Sequence, residues 1–248
     1  MMLSIIAAML VLFFTTLLTM AGLGSAFIII PTFYWLGVPL TEAMAIALLL
    51  NALGMSFATV NYMRYKLIDF KAALPIILFA IVFSPLGAYS TRYFKKDLLL
   101  AMFVMFLLFA GTMMLFYRPR LMEKRTTFIG ETATGVGIGI GAGYLGGLLG
   151  VGGGNFIVPS LVGLGFDPKR ASATSAFIVV FSSLSGFFGH AAGGAVGWTL
   201  LGVSSIAAIA GALLGSWLLH HKMKADNVKK LIGVVLYIVA LKMAWGLF

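Results

Sequence analysis

Four successive residues, Gly152-Gly153-Gly154-Asn155, are the part of this 248-residue chain whose types and spacing best suit chemistry. At the start of a helix, bare N–H groups carry partial positive charge, which favours a carboxylate, a phosphate or a sulfonate. Glycine lets such an anion approach the backbone closely. The four lie in a glycine-rich run over 146–160 that ends at Pro159, and Pro159 and Pro31 are read as the residues that break the helix, since proline lacks an N–H. Gly135, Gly139, Gly143 and Gly147 recur every four residues and read instead as a close-packing face. Gly141 to Gly146 matches GxGxxG, but no strand precedes it, so the match carries no dinucleotide site.

A second set of polar residues follows the break. Ser172, Ser175, Val179, Ser182, Gly186 and His190 share one helical face, with Thr174, Ser183 and Ser185 beside it. Serine and threonine often bond their own preceding turn, so Ser175 and Ser182 are the stronger candidates for a polar route. Asn51 lies mid-span in the first half, with Asn61 further on, and an uncharged buried amide is either helix glue or a substrate contact. Gly24 and Ser25 occupy the equivalent break in the first half. An ordinary histidine at position 190 would titrate near neutrality and could couple transport to protons, although a lone histidine at a span end is more often interfacial. Glu42 and Glu131 begin spans and read as carboxylates favoured by the helix dipole. His220 and His221 adjoin Lys222 and read as flank residues.

Nothing in the chain supports catalysis. There is no mid-span pair of carboxylates, no HExxH motif and no cysteine, so no enzyme, resident metal or cofactor is expected. A nucleotide-binding loop is also lacking, which excludes an ATP-driven pump.

The elements that must hold these residues are membrane spans. Hydrophobic residues make up 61% of the chain and charged residues 10%, in apolar runs long enough to cross about 30 Å of hydrocarbon. A transmembrane barrel would alternate over short segments instead. The expected fold is therefore an all-α polytopic membrane protein. The net charge of +10 does not indicate nucleic acid, because the 17 Lys and Arg sit in short clusters between apolar runs. Without cysteine the compartment is not readable from redox chemistry. The first twenty residues lack a basic leading region, so they are expected to stay as a helix rather than be cleaved.

At a shift of 128 residues the chain resembles itself: Gly24, Pro31, Gly37 and Gly87 fall on Gly152, Pro159, Gly165 and Gly215. This implies one membrane domain of two homologous halves, 1–117 and 131–248, joined by a polar linker over 118–130. Each half is read as four full spans plus a short broken or re-entrant element. The spans are placed at 3–20, 42–63, 70–91 and 98–117, with a break at 22–24 and a short segment at 26–36. In the second half they fall at 131–149, 170–190, 198–219 and 228–247, with a break at 150–154 and a short segment at 155–165. Short, Gly- or Pro-interrupted segments at corresponding places in two halves are the usual sequence pointer to a transporter's binding site. If the short segments do not cross, the loops divide the basic residues 8 to 9; if they do, thirteen share one side and four the other. The second division fits the positive-inside rule and predicts inverted halves.

Gly150-Val-Gly-Gly-Gly-Asn-Phe-Ile-Val-Pro159, with Leu164-Gly165 and Arg170-Ala-Ser-Ala-Thr-Ser175 after it, resembles the repeat signature of the sulfite exporter TauE/SafE family. The resemblance covers nearly the whole chain, and Gly189-His190 and Gly197-Trp198 also look like later positions in the repeat. The first half departs from it, with Gly24-Ser25-Ala26 in place of three glycines and Asn51 where the second half has Val179. The resemblance implies export of a small sulfur-containing anion, such as sulfite, sulfoacetate or a taurine-derived product, across the bacterial cytoplasmic membrane.

The leading expectation is a multi-pass secondary transporter of a small anion working by alternating access. Gly24, Ser25, Asn51, Gly152, Gly153, Gly154, Asn155, Thr174, Ser175 and Ser182 would line the site, and the partners would be the anion, the lipid bilayer and, through His190, protons. An anion channel, an importer of a different anion, and a membrane-embedded enzyme or assembly factor are the alternatives. Oligomeric state is not readable from the chain.

Overall fold

A computed structural model of the chain describes residues 2–20, 24–116, 128–192, 197–221 and 225–245. Residues 118–127 of the expected linker, the side chain of Glu131 and the side chains of His220 and His221 lie outside the described residues, as does part of the first break, while residues 128–130 open a helix rather than continue the linker.

Among the described residues the structure is entirely helical. In chain order the helices are α1 (Met2–Met20), α2 (Ala26–Trp35), α3 (Leu40–Arg64), α4 (Phe70–Ser90), α5 (Lys96–Phe116), α6 (Phe128–Leu148), α7 (Gly154–Gly163), α8 (Pro168–Ala191), α9 (Trp198–His221) and α10 (Ala225–Trp245). Five described segments are long and apolar enough to cross a membrane unaided, in α3, α4, α5, α8 and α9. Exposed Leu74, Leu78, Val82 and Leu86 recur every four residues on α4, a stripe that suits lipid rather than water. The protein is a multi-pass helical membrane protein.

Local sequence explains the helix ends. Asp69 caps α4 by accepting from Ala72 N, and Asp167 caps α8, with Pro168 in the first helical position. The leucine-glycine corners close α2 and α7 in one way. Gly37 N donates to Tyr34 O and Val38 N to Phe33 O; Gly165 N donates to Val162 O and Phe166 N to Leu161 O. Both are Schellman caps, and both glycines have positive φ.

Small residues set the packing. Gly139, Gly143 and Gly147 of α6 lie against Ile76, Ala80 and Ser84 of α4, so these helices run parallel. Gly211 and Gly215 of α9 meet Leu12 and Thr16 of α1 in the same sense. The recurring glycines of α6 are thus a packing face, since any side chain at 139, 143 or 147 would strike the α4 backbone and one at 135 would meet the Pro75 ring. The GxGxxG match lies wholly within α6.

The centre is formed by α3 and α8. Asn51 meets Ser183 while Leu48 faces Gly186, so their contacts step in opposite directions and the helices are antiparallel. The serine-bearing face of α8 turns inward: Ser175, Val179, Ser182, Gly186 and His190 are all buried. Gly111 and Leu115 of α5 pair with Tyr237 and Gly233 of α10, again antiparallel, and Thr112 Oγ1 lies 2.6 Å from Tyr237 Oη.

The prolines correct one expectation. Pro31 and Pro159 are the sixth residues of ten-residue helices and do not interrupt them. Each proline removes one intrahelical bond but the helix continues past it, whereas positive-φ glycines stand ahead of each helix, Gly24 before α2 and Gly150, Gly152 and Gly153 before α7. Pro31 and Pro159 are therefore not the helix breaks.

Candidate functional site

The second break is a turn that only glycine makes without strain. Gly150, Gly152 and Gly153 all have φ between +72 and +81, a region that L side chains rarely adopt. The turn folds back on the last turn of α6, where Val151 N and Gly152 N both donate to Gly146 O at 2.8 and 3.2 Å. Gly153 then opens α7, its carbonyl accepting from Phe156 N and Ile157 N. Among the described residues nothing accepts from the N–H groups of Gly153, Gly154 and Asn155. These are the orphan donors that any helix start leaves, and here they are buried. The Asn155 side chain stands beside them, 6% exposed.

Asn51 joins the two breaks. Its Oδ1 accepts from Ser25 N at 3.0 Å, at the start of α2, and its Nδ2 donates to Ser183 Oγ at 3.0 Å. A backbone N–H can only donate, so the amide orientation follows from its partners. An added Cβ on Gly152 would meet both Ser183 Oγ and Asn51 Nδ2, which places that glycine against the same pair. Ser182 Oγ donates to Gly152 O at 2.7 Å, and Ser84 Oγ donates to Ser182 O at 2.8 Å. Asn51 is 1% exposed, so losing either partner would leave a buried polar group unpaired at a cost of roughly 1–3 kcal/mol.

The structure thus gathers Gly24, Ser25, Asn51, Gly152 and Ser182 around one point, with Gly153, Gly154 and Asn155 continuing from it. Thr174 is placed elsewhere: its Oγ1 accepts from Asp69 N at 3.0 Å, eight residues or about 12 Å of helix before Ser182. Ser175, next to it, is fully buried and its hydroxyl has no partner among the described residues. Two participants are not among the site residues expected from sequence, where Ser183 figures only as lying beside the polar face. Ser183 sits four residues past Val179, the register mate of Asn51, so the crossing of α3 and α8 is what selects it. Ser84 lies in a proline-bearing apolar span and gave no polar pattern to notice.

His190 is buried in the bundle, and its Nε2 lies 2.8 Å from Gly147 O. A carbonyl only accepts, so Nε2 carries a proton and the ring holds the end of α6. Glu42, in the first turn of α3, keeps its dipole-favoured position and also accepts from Gly197 N at 2.9 Å.

Cavities adjoin the far ends of both short helices. A cavity of about 630 Å³ at the end of α2 is lined by Tyr34, Gly37, Thr41, Thr91, Arg92 and Lys96. Lys96 lies 5.0 Å from the Tyr34 ring and Lys242 4.4 Å from the Trp35 ring. A smaller cavity of about 110 Å³ at the end of α7 is lined by Asp69, Lys71, Thr132, Leu161 and Phe166, among others.

Comparison with known proteins gives a consistent family. A probable membrane transporter of Bacillus subtilis (strain 168), YunE, is 28% identical over 260 residues, covering 93% of this chain and 93% of its own length. A probable membrane transporter of Haemophilus influenzae is 26% identical over 181 residues, 67% of this chain and 66% of its own. A sulfite exporter TauE/SafE family protein of Arabidopsis thaliana is 30% identical over 116 residues, 42% of this chain and 25% of its own. No solved structure matches the chain significantly. The model of the family described as Sulfite exporter TauE/SafE matches residues 6–243, and the chain belongs to that family of membrane transporters.

Proposed function

We propose that the protein is a secondary transporter of a small anion, sulfur-containing and of the sulfite or organosulfonate class, in the cytoplasmic membrane. The observation that carries this reading is the start of α7, where three N–H groups without an acceptor among the described residues and the Asn155 side chain are buried, directly after Gly152, which lies against Asn51 and Ser183. Such a helix start attracts an anion without charged side chains. Gly152, Gly153, Gly154 and Asn155 are assigned to the substrate, with Gly24, Ser25, Asn51 and Ser182 as the wall. Ser175 extends that wall toward the other face, and Thr174 serves the contact with Asp69. The family's description as a sulfite exporter supports an outward direction. Arg92 and Lys96 at the α2 cavity support an anionic solute at the opening.

The halves 1–117 and 131–248 act as inverted repeats joined by the linker at 118–130. The antiparallel packing of α3 with α8 and of α5 with α10, each a pair of related helices, supports a two-fold axis across the helices, in the membrane plane. Contacts also recur under exchange of the halves: Gly87 faces Tyr144 and Gly215 faces Thr16. Rocking of one half on the other about Asn51 then exposes the site to each face in turn.

Counterflow in liposomes tests the reading, with sulfite, sulfoacetate, thiosulfate, sulfate and a carboxylate compared at two pH values. Counterflow with the sulfur oxyanions is expected; flux without counterflow would make the protein a channel. Asn155→Ala should raise KM about tenfold by removing one buried hydrogen bond to the anion, with Vmax little changed. An unaltered KM would take Asn155 out of the site. For His190 the geometry favours the structural role over proton coupling. His190→Gln keeps a donor for Gly147 and should transport with the wild-type pH dependence, whereas a flattened pH profile would assign coupling to this residue.

A further inference from the structure

Two contacts between the halves turn into one another when each residue number is carried across by 128. Asp69, the cap of α4, lies with Oδ2 3.7 Å from Nη2 of Arg170, the third residue of α8. The exchanged positions are Gly197, just ahead of α9, and Glu42, the third residue of α3, and there Gly197 N donates to Glu42 Oε1. In each case the start of one half's fourth helix is tied to the first turn of the other half's third helix. The backbone N–H takes part both times, because Asp69 N also crosses to Thr174 Oγ1. Since α3 and α8 are antiparallel, the two ties lie at opposite ends of the bundle. The Asn51–Ser183 contact sits between them, about 13 Å along α3 from Glu42 and about 20 Å along α8 from Arg170.

We propose that these ties are the two gates of the transporter, Asp69–Arg170 on the face rich in basic residues and Glu42–Gly197 on the opposite face, and that they open in turn. The proposal rests on the alternating-access reading and names the residues that perform it. Their strength suits the task. Arg170 is half exposed, and an ion pair in contact with water separates at little cost. The other gate is a single carboxylate bond to one N–H. The central contact, fully buried, stays as the pivot. The gates differ chemically because Gly197 has no side chain to pair with, leaving Glu42 to reach the backbone itself.

The absence of native cysteine makes the test direct. Glu42→Cys with Gly197→Cys, and separately Asp69→Cys with Arg170→Cys, are introduced into the full chain in liposomes and oxidised or bridged with a short bifunctional thiol reagent. Each pair should cross-link, each cross-link should lower counterflow at least tenfold, and a reductant should restore it to the oxidised pair. A membrane-impermeant maleimide should reach 42 and 197 from one side and 69 and 170 from the other. Failure of either pair to cross-link, reaction of both pairs from the same side, or undiminished transport with a bridge in place would overturn the proposal. Arg170→Lys keeps the ion pair and leaves Asp69 as the cap of α4, and it should retain the transport that Arg170→Ala loses, which separates gating from folding. Absence of counterflow by the unmodified chain with every anion would instead sink the anion reading, and the sidedness of labelling would still decide the gates.

Discussion

Asn51→Asp is expected to abolish anion counterflow while leaving folded protein in the membrane. The change is isosteric and both partners can still be satisfied. One carboxylate oxygen accepts from Ser25 N, and the Ser183 hydroxyl rotates to donate to the other. What changes is the charge at the point where the two helix starts meet. A carboxylate about 5 Å from a bound anion, at an effective dielectric of about 20, repels it by about 3 kcal/mol, or roughly a hundredfold in affinity. Counterflow measured alongside size-exclusion of the purified variant separates this from misfolding. Wild-type transport by Asn51→Asp would remove the anion from this site, whatever the function of the break.

The second large effect is on folding. Gly147→Leu should leave no folded protein, because Gly147 lies where α4, α6 and α8 converge. A Cβ there would strike the Ser84 carbonyl, and the Gly147 carbonyl holds His190. Both obstacles are backbone or fixed by backbone, so the helices would have to part, at a cost above the roughly 1–3 kcal/mol of ordinary overpacking. Gly137→Leu is the matched control. It lies on the same helix, ten residues earlier, with open space at its Cβ position, and should change stability by no more than about 0.5 kcal/mol. Thermal unfolding of the detergent-purified variants reads the difference. Equal melting of the two would show that the α4–α6 crossing tolerates bulk and that the packing face is misassigned.

These two predictions fall on opposite kinds of glycine and polar residue, and the chain alone distinguishes them only in part. The repeat of small residues at 139, 143 and 147 is readable as packing because a period of four marks one helix face, and α4 lies against it. The fault at 150–153 is readable because successive glycines between apolar runs leave a helix without side chains to support it. Serine preferences were harder. Ser182 and Ser183 both lie in the bundle, yet one bonds a backbone carbonyl and the other an amide from α3. Residues adjacent in sequence point about 100° apart on a helix, and only the neighbouring helices decide what each meets.

Hydropathy and glycine placement by themselves determined the long helices, their short partners and the glycine turn at 150–153, since membrane span length and backbone freedom are local properties. Tertiary structure alone decided that Asn51 links Ser25 to Ser183, that Thr174 serves Asp69, that His190 is buried on Gly147, and that both short helices run through their prolines. Those outcomes depend on how α3 and α8 cross, and the angle and register of a crossing come from many small contacts between distant residues that no single stretch of chain contains.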